Sequence, residues 1–475
     1  MKREFKAHPL MIFSIIKPFL FILLIPVLRG IVQYIENRKA TTILEQEMGV
    51  LLVIFLYGFL RWRLFRLTLD EEAVTVRDGL FMVRQAVIPI SGLSSVQSEQ
   101  TPLDYILGSV TFRINTEAGS RQKTDYSFKL SRKDARTVED LLYGHKSGEP
   151  VRFSPFKIAL LAAATSSAFT GMLVGVPILN NTAKLAGVGV NEILEQLNTV
   201  SNKFQTYFPP IVNTVTLILL GSFLVSFIYS FFKYLRFRIF LNEDRVEVRS
   251  GLFVVQRTSF KKRSINNVII EQSPLMILLK RYAMKVNVGG YGEAKAESQV
   301  LVPCGKYREL KNMFSDYFPF LTLSGNPLKS KVGFVHLNRY YFWGEIFAGI
   351  LLLLSVYFGL GFREFSRLVV FITFILGCLI IYYMYLCYCE YKVCTARFGN
   401  TVYARGKRGL RKVRLYCPKE KIGEIKIYRY PVDPIYKTCN IKITIRSETA
   451  DSMVVRHLDY EDTKKEIFDC YGIKE

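Results

Sequence analysis

Histidine is the scarcest chemically useful residue in this 475-residue sequence. Four are present, His8, His145, His336 and His457, far apart and outside any His-x-x-x-His or Glu-x-x-His spacing. That excludes the common helical metal motifs. Cysteine is sparse as well. Of eight, seven lie from Cys378 onward and only Cys304 comes earlier, which makes no disulfide framework. Cys387, Cys389 and Cys394 lack paired Cys-x-x-Cys spacing and read as reduced residues packed at a helix end. There is no Gly-x-x-x-x-Gly-Lys-Ser/Thr phosphate loop and no Gly-x-Ser-x-Gly elbow. Gly289-Gly290-Tyr291-Gly292, before Glu293-Ala294-Lys295, has the composition of a hairpin tip. No small-residue cleavage site follows the basic start, so no cleavable signal peptide is expected. An enzyme, a metal and a cofactor are therefore not expected.

What is present is grease and positive charge. Half of the residues are apolar, 22% are charged, and the net charge is +24. Long apolar runs alternate with polar stretches, which suits a membrane protein carrying soluble domains. Six segments are long enough to be membrane helices, in three pairs: about 10–35 and 48–64, 155–179 and 209–232, 340–360 and 368–389. The first is interrupted by Lys17 and Arg29; the span is expected to begin near Pro18, with Leu10–Ile16 interfacial and Arg29 snorkelling outward.

The loops 36–47, 180–208 and 361–367 hold six basic and six acidic residues. Segments 61–153, 233–339 and 390–475 hold 14, 19 and 19 basic residues against 12, 8 and 12 acidic ones. The juxtamembrane Arg61, Arg63, Arg66, Lys233, Arg236 and Arg238 add to the bias, and both termini and all three long segments are expected in the cytoplasm. In the loop 180–208, Val190, Ile193, Leu194, Leu197, Val200 and Phe204 fall at helical spacing. An amphipathic helix there could cover the helix bundle or meet an external peptide.

The polar segments repeat. Trp62–Phe81 aligns with Tyr234–Phe253 without a gap at an offset of 172 residues, matching Val76 with Val248, Arg77 with Arg249 and Gly79 with Gly251. The offset persists at Pro102 and Pro274, each followed by leucine. A third, diverged copy begins near Glu390, with Pro431 near the position of Pro274. Each copy alternates apolar and polar residues, as half-buried strands do, and ends in a helical pattern. Ser131-Arg132-Lys133-Asp134 opens the first such helix as a capping box; Lys306–Phe314 and Asp459–Tyr471 hold the same place. Many short strands closed by one helix describe a small sandwich or barrel.

The residues Val74-Thr75-Val76-Arg77-Asp78-Gly79-Leu80-Phe81, Ile88-Pro89 to Val96, and Gln100-Thr101-Pro102-Leu103 carry a family likeness. The chain resembles the bacterial pleckstrin-homology-like (bPH) membrane family of the YdbS/YdbT type, in which a helix hairpin precedes each β domain. The resemblance implies a seven-stranded sandwich with a C-terminal helix, and a non-enzymatic envelope role associated with resistance to antimicrobial peptides. The expected architecture is thus a multi-domain membrane protein with six transmembrane helices in three hairpins and three PH-like domains. The units are 1–150 (domain about 61–145), 151–330 (about 233–320) and 331–475 (about 390–473).

Basic clusters are the remaining signal. They are Arg257, Lys261, Lys262 and Arg263 in the second copy, and Arg405, Lys407, Arg408, Arg411, Lys412 and Arg414 in the third. Next to an anionic leaflet each cation contributes about 1 kcal/mol; the same residues could instead be solvated hairpins on the positive-inside side. The first turns of copies one and two, Asp70-Glu71-Glu72 and Asn242-Glu243-Asp244, carry carboxylates that repel phosphate, whereas Arg397-Phe398-Gly399-Asn400 in copy three does not. The expected partners are the anionic inner leaflet and a protein, such as a one-repeat relative, with no nucleic acid and no small-molecule substrate. The expected role is an interaction scaffold in the cell membrane. The alternative is a transporter, for which Arg29, Thr165-Ser166-Ser167 and Glu345 are the polar groups available in the apolar part.

Overall fold

The computed structural model describes residues 3–19, 41–80, 82–116, 126–143, 149–166, 210–289, 299–323, 325–330, 334–361, 366–446 and 452–472. Arg29, His145, Ser167, the segments 20–35 and 167–179, the loop 180–208 and the tip 290–295 lie outside the described residues.

The first copy runs β1 (Arg3–Lys6), α1 (residues 11–19), α2 (Thr41–Leu64), β2 (Arg66–Leu69), β3 (Ala73–Asp78), β4 (Arg84–Pro89), β5 (Leu93–Gln100), α3 (Pro102–Leu107), β6 (Ser109–Thr116), β7 (Tyr126–Ser131) and α4 (Arg132–Tyr143). The second repeats it: β8 (Pro150–Arg152), α5 (Pro155–Thr165), α6 (Pro210–Tyr234), β9 (Arg238–Leu241), β10 (Arg245–Ser250), β11 (Val255–Lys261), β12 (Ile265–Gln272), α7 (Pro274–Leu278), β13 (Tyr282–Val288), β14 (Gln299–Gly305) and α8 (Tyr307–Phe314). The third has β15 (Leu328–Lys329), α9 (Phe334–Gly361), α10 (Ser366–Val393), β16 (Thr395–Arg397), β17 (Thr401–Arg408), β18 (Arg411–Pro418), β19 (Ile422–Tyr428), β20 (Thr438–Ile445), β21 (Ser452–Asp459) and α11 (Tyr460–Tyr471).

Alternation builds the cores. In copy one, Leu67, Leu69, Val74 and Val76 point inward from β2 and β3 and meet Phe112, Ile114, Phe128 and Leu130 from β6 and β7, with Phe112 and Phe128 stacked at 6.1 Å. Helix α4 closes the end with Ala135, Val138 and Leu142. Each such fully buried side chain contributes roughly 1.5–3 kcal/mol. Copy three does the same with Val402, Ala404, Val413, Leu415, Ile441, Ile443 and Ile467.

Two features go beyond the sequence reading. The strands β1 and β15, which precede the helix pairs, pair antiparallel with β2 and β16, the strands that follow them, and β8 lies beside β9. These pre-helix strands are two to four residues long, too short for alternation to reveal. Helix α1 then leaves β1 with Met11 in the β core and with Ile12 and Ile16 against Gly58, so one face of this stretch packs into protein while Phe13 and Phe19 stay exposed.

The second feature is that sheets cross from one repeat to the next. β5 of copy one pairs antiparallel with β11 of copy two, from Val255 opposite Gln100 to Phe260 opposite Ser95. β12 of copy two pairs likewise with β18 of copy three, from Val268 opposite Tyr416 to Gln272 opposite Lys412. Two seven-stranded sheets result, ordered β7-β6-β5-β11-β10-β9-β8 and β14-β13-β12-β18-β17-β16-β15. The chain divides into two compact units, one built on residues up to Val151 with 239–264, the other on 152–238, 265–288 and the residues from 297 onward. The first sheet belongs essentially to the first unit, the second to the second.

Copy three repeats the order of elements of copy two, with a turn from Pro431 in place of the short helix α7. From Ser259/Tyr416 to Pro274/Pro431 it follows copy two at a constant 157 residues. The register irregularities at Leu93/Ser95, Ile265/Asn267 and Ile422/Glu424 fall at equivalent positions.

Gly79 and Gly251 are required where they stand. Their φ angles are +126° and +104°, and a Cβ would lie 2.0 Å from the Met82 carbonyl oxygen and 1.9 Å from that of Val254. Gly251→Ala is expected to destabilise the second module by at least about 2 kcal/mol. Gly92→Ala, where a Cβ meets nothing within 4 Å, should change little. Thermal unfolding of the purified chain in detergent distinguishes the two; equal melting points would refute the assignment.

Candidate functional site

The strongest concentration of charge sits on the hairpin β17–β18. Its two-residue loop is Gly409-Leu410, with Gly409 at φ +58° between the paired Arg408 and Arg411. Alternation sends Val402, Ala404, Gly406, Val413, Leu415 and Cys417 to the inner face. The other face then carries three cross-strand pairs: Tyr403 opposite Tyr416, Arg405 opposite Arg414, and Lys407 opposite Lys412. Like charges directly opposite destabilise a sheet, so something must hold them.

Aromatic rings do much of it. The Arg414 guanidinium lies 3.9 Å from the Tyr307 ring and 5.3 Å from that of Tyr282. The Lys407 ammonium lies 3.9 Å from the Tyr383 ring and 3.7 Å from the Glu390 carboxylate. Lys412 lies 4.8 Å from the Tyr385 ring. Cation–aromatic contacts of this kind contribute about 0.5–2 kcal/mol each. Arg411 bonds Glu271 at 2.9 Å, and Lys285 takes the same carboxylate at 2.7 Å. Burial, reinforced by Arg414, lowers the affinity of the Arg405 guanidinium for its proton.

Between the hairpin and α10 lies a cavity of about 80 Å³ whose lining includes Arg405, Lys407, Lys412, Arg414, Glu390 and Gln272. Four cations face one carboxylate there. The hairpin tip rests on α10, where the Tyr382 hydroxyl donates to the Leu410 carbonyl at 3.1 Å. Leu410 and Arg408 are exposed. Two helices among the described residues are long and apolar enough to cross a bilayer, over His336–Gly359 and Ile372–Val393, and the tip therefore touches one of them.

The basic cluster of copy two is used differently. Arg257 donates to Glu139 at 2.6 Å and forks onto Glu247 at 2.6 and 3.0 Å, at the junction of β11 with β5. Lys261 donates to the carbonyls of Ile90 and Ser91, and Arg263 also donates to Ser91. Burial lowers the pKa of Lys262, with Asp244 and Glu243 opposing. These cations seal the strand junction.

The repeated motif residues have structural placements. Pro102 and Pro274 open short helices capped by Thr101 and Ser273, and Pro431 starts the equivalent turn. Arg77 is exposed on β3, whereas Arg249 lies over the Phe240 ring and bonds Glu247. Sequence reasoning missed the carboxylates Glu139, Glu247, Glu271 and Asp433. One signal could have found the last: Pro102-Leu103-Asp104 and Pro431-Val432-Asp433 are equivalent, and both aspartates are buried hydrogen-bond hubs.

A comparison with curated proteins finds no match. A family model described as Bacterial PH domain matches residues 12–146 and 184–316, the first two copies of the repeat. With more than half of its length matched, the chain belongs to the bacterial PH domain family.

Proposed function

We propose that the chain is a non-enzymatic, multi-pass membrane scaffold of the YdbS/YdbT type, and that the β17–β18 hairpin docks on anionic headgroups of the leaflet beside it. The carrying observation is where exposure stops along the third helix pair. On α10, Val370, Phe374, Leu379, Ile381 and Tyr385 are exposed, and from Leu386 on the helix is largely covered, with Leu386, Cys387, Glu390 and Tyr391 buried. On α9, Tyr340 is buried while Phe342, Trp343 and Phe347 are exposed. From Ser366 to Tyr385, and from Phe342 to Gly361, is about 20 residues, or about 30 Å, one hydrocarbon thickness. An aromatic belt of Trp343, Tyr382 and Tyr385 marks the boundary. The hairpin tip reaches that level, with Leu410 bonded to Tyr382 and Lys412 over the Tyr385 ring.

A small anion, such as the phosphate group of a lipid, matches both the size and the excess positive charge of the adjoining cavity. Six spans, cytoplasmic modules and a part in envelope integrity or peptide resistance complete the reading. The exposed apolar faces of α2 (Leu52, Val53, Phe55) and α6 (Leu220, Leu224, Ile228) support the further spans. The transporter alternative has less support: Glu345 is exposed within one turn of Trp343, at the boundary level.

Leu410→Trp places a fluorophore at the tip. In vesicles containing the full chain, brominated phosphatidylglycerol is expected to quench it at least twofold more than brominated phosphatidylcholine does, and Arg408→Glu with Lys412→Glu should remove the difference. Equal, water-like emission in both lipids would overturn the docking.

A further inference from the structure

Among the described residues two sheet edges stay open where the repeat elsewhere closes them, and we propose that β19 of one chain pairs with β4 of a second copy. Within each module, the edges formed by β1, β8 and β15, and those formed by β7, β14 and β21, are outermost in every copy. They carry no information about partners. The strands β4 and β19 are different. β4 is outermost in the sheet β1-β2-β3-β4, yet its equivalents β11 and β18 are each paired on both sides. β19 is outermost in the sheet β19-β20-β21, yet its equivalents β5 and β12 are likewise paired on both sides. The chain thus makes one kind of joint twice, the fifth strand of a module against the fourth of the next. Among the described residues, one half of that joint is unused in the first copy and the other half in the third.

The unused halves are exposed as unfilled interfaces are. Val87 on β4 is 61% exposed, whereas its equivalent Ser259 on β11 is buried. Gly423, Glu424 and Lys426 of β19 are exposed, whereas Asn266, Asn267 and Ile269 at the same positions of β12 are buried.

The existing joints also fix the register. Ser259 faces Val96, and Tyr416 faces Val268. Carried through the repeat offsets, this sets Val87 opposite Ile425, with Ala86 opposite Lys426, Gln85 opposite Ile427 and Arg84 opposite Tyr428. The alignment joins two β-branched residues, sets an arginine against a tyrosine, and places no like charges opposite one another. Charges and proline often serve only to blunt an edge. Pro89 does not have that meaning here, because Pro418 holds the equivalent place on β18, which pairs.

Such a joint uses different surfaces on the two partners, so it propagates head to tail and ends only by closing a ring.

The test uses full-length chains in native membranes. One copy carries Val87→Cys and one tag, the other Ile425→Cys and a second tag, and a mild oxidant is added. A disulfide-linked species bearing both tags is expected. It should exceed by about tenfold the product of the out-of-register pair Val87→Cys with Lys426→Cys, since register is specific in a half-buried sheet. Each single variant alone measures the background from native cysteines. Val96→Cys with Ser259→Cys in one chain, an existing joint, is the positive control. Absence of the two-tag species while that control closes overturns the proposal. So does equal yield from the out-of-register pair, or coupling of Val87→Cys only to a different polypeptide.

Discussion

Asp433→Leu is expected to unfold the third module under conditions where the wild-type chain is folded. The Asp433 side chain is fully buried in the turn between β19 and β20 and accepts four hydrogen bonds. They come from the Tyr430 backbone N–H at 2.6 Å, the Asn440 amide at 3.0 Å, the Thr438 hydroxyl at 3.1 Å and the Arg339 guanidinium. Burial alone would raise the pKa of this carboxyl, but the Tyr430 N–H and Arg339 outweigh it and hold the value below the ordinary one. Removing the carboxylate strands a guanidinium and three neutral donors, a loss of about 3–5 kcal/mol.

The second module indicates the compensation. Its equivalent residue is Met276, also buried, so an apolar side chain fills the same turn. Arg339→Met with Asp433→Met should therefore recover most of the loss. Urea midpoints of the two singles and the double, read by limited proteolysis of the third module, measure the coupling. Additive losses would show that the pair does not act as a unit. The sign with pH follows from the lowered pKa. The contribution is present above the ordinary carboxylate range and is lost as pH falls through the folded-state value.

The same module carries the second large effect. His457 is buried against Tyr340, with ring centroids 4.6 Å apart, and its Nδ1 has no hydrogen-bond partner among the described residues. Burial first, then the cations Arg339 and Arg456, push its pKa down to about 3, with Asp433 opposing. Unfolded, the imidazole titrates near 6.5. The unfolded chain therefore binds the extra proton between these values, and stability falls as pH drops from about 6.5 towards 3. At pH 5 the loss is about 2 kcal/mol. His457 has φ +55°, a conformation asparagine tolerates. His457→Asn should start less stable at pH 7.5 but lose little more by pH 5. Parallel slopes for the two proteins would show that the pH dependence lies elsewhere.

Much of this fold is legible in the residues themselves, because alternation and an ungapped offset are local signals. The strands β2, β3, β9 and β10, the closing helices and the third apolar pair all announce themselves this way. The pre-helix strands do not, being too short to carry a period. Nor do the joints between repeats, since strand pairing over such a separation leaves no local trace. The basic clusters divide for the same reason. Arg257 reads as a free cation until Glu139, 118 positions away, is placed against it. Lys407 and Lys412 read as a patch in either view, but the tyrosines of α10 that receive them belong to an apolar helix and look like grease.

The pairing of β5 with β11 and of β12 with β18 also has a consequence for how the molecule can be divided. A fragment cut at a repeat boundary would carry a raw strand flank that the intact polypeptide keeps satisfied, and such flanks recruit foreign strands. Loss of order in one repeat would withdraw hydrogen-bonding partners from its neighbour. Denaturation should then spread across those seams instead of stopping at them.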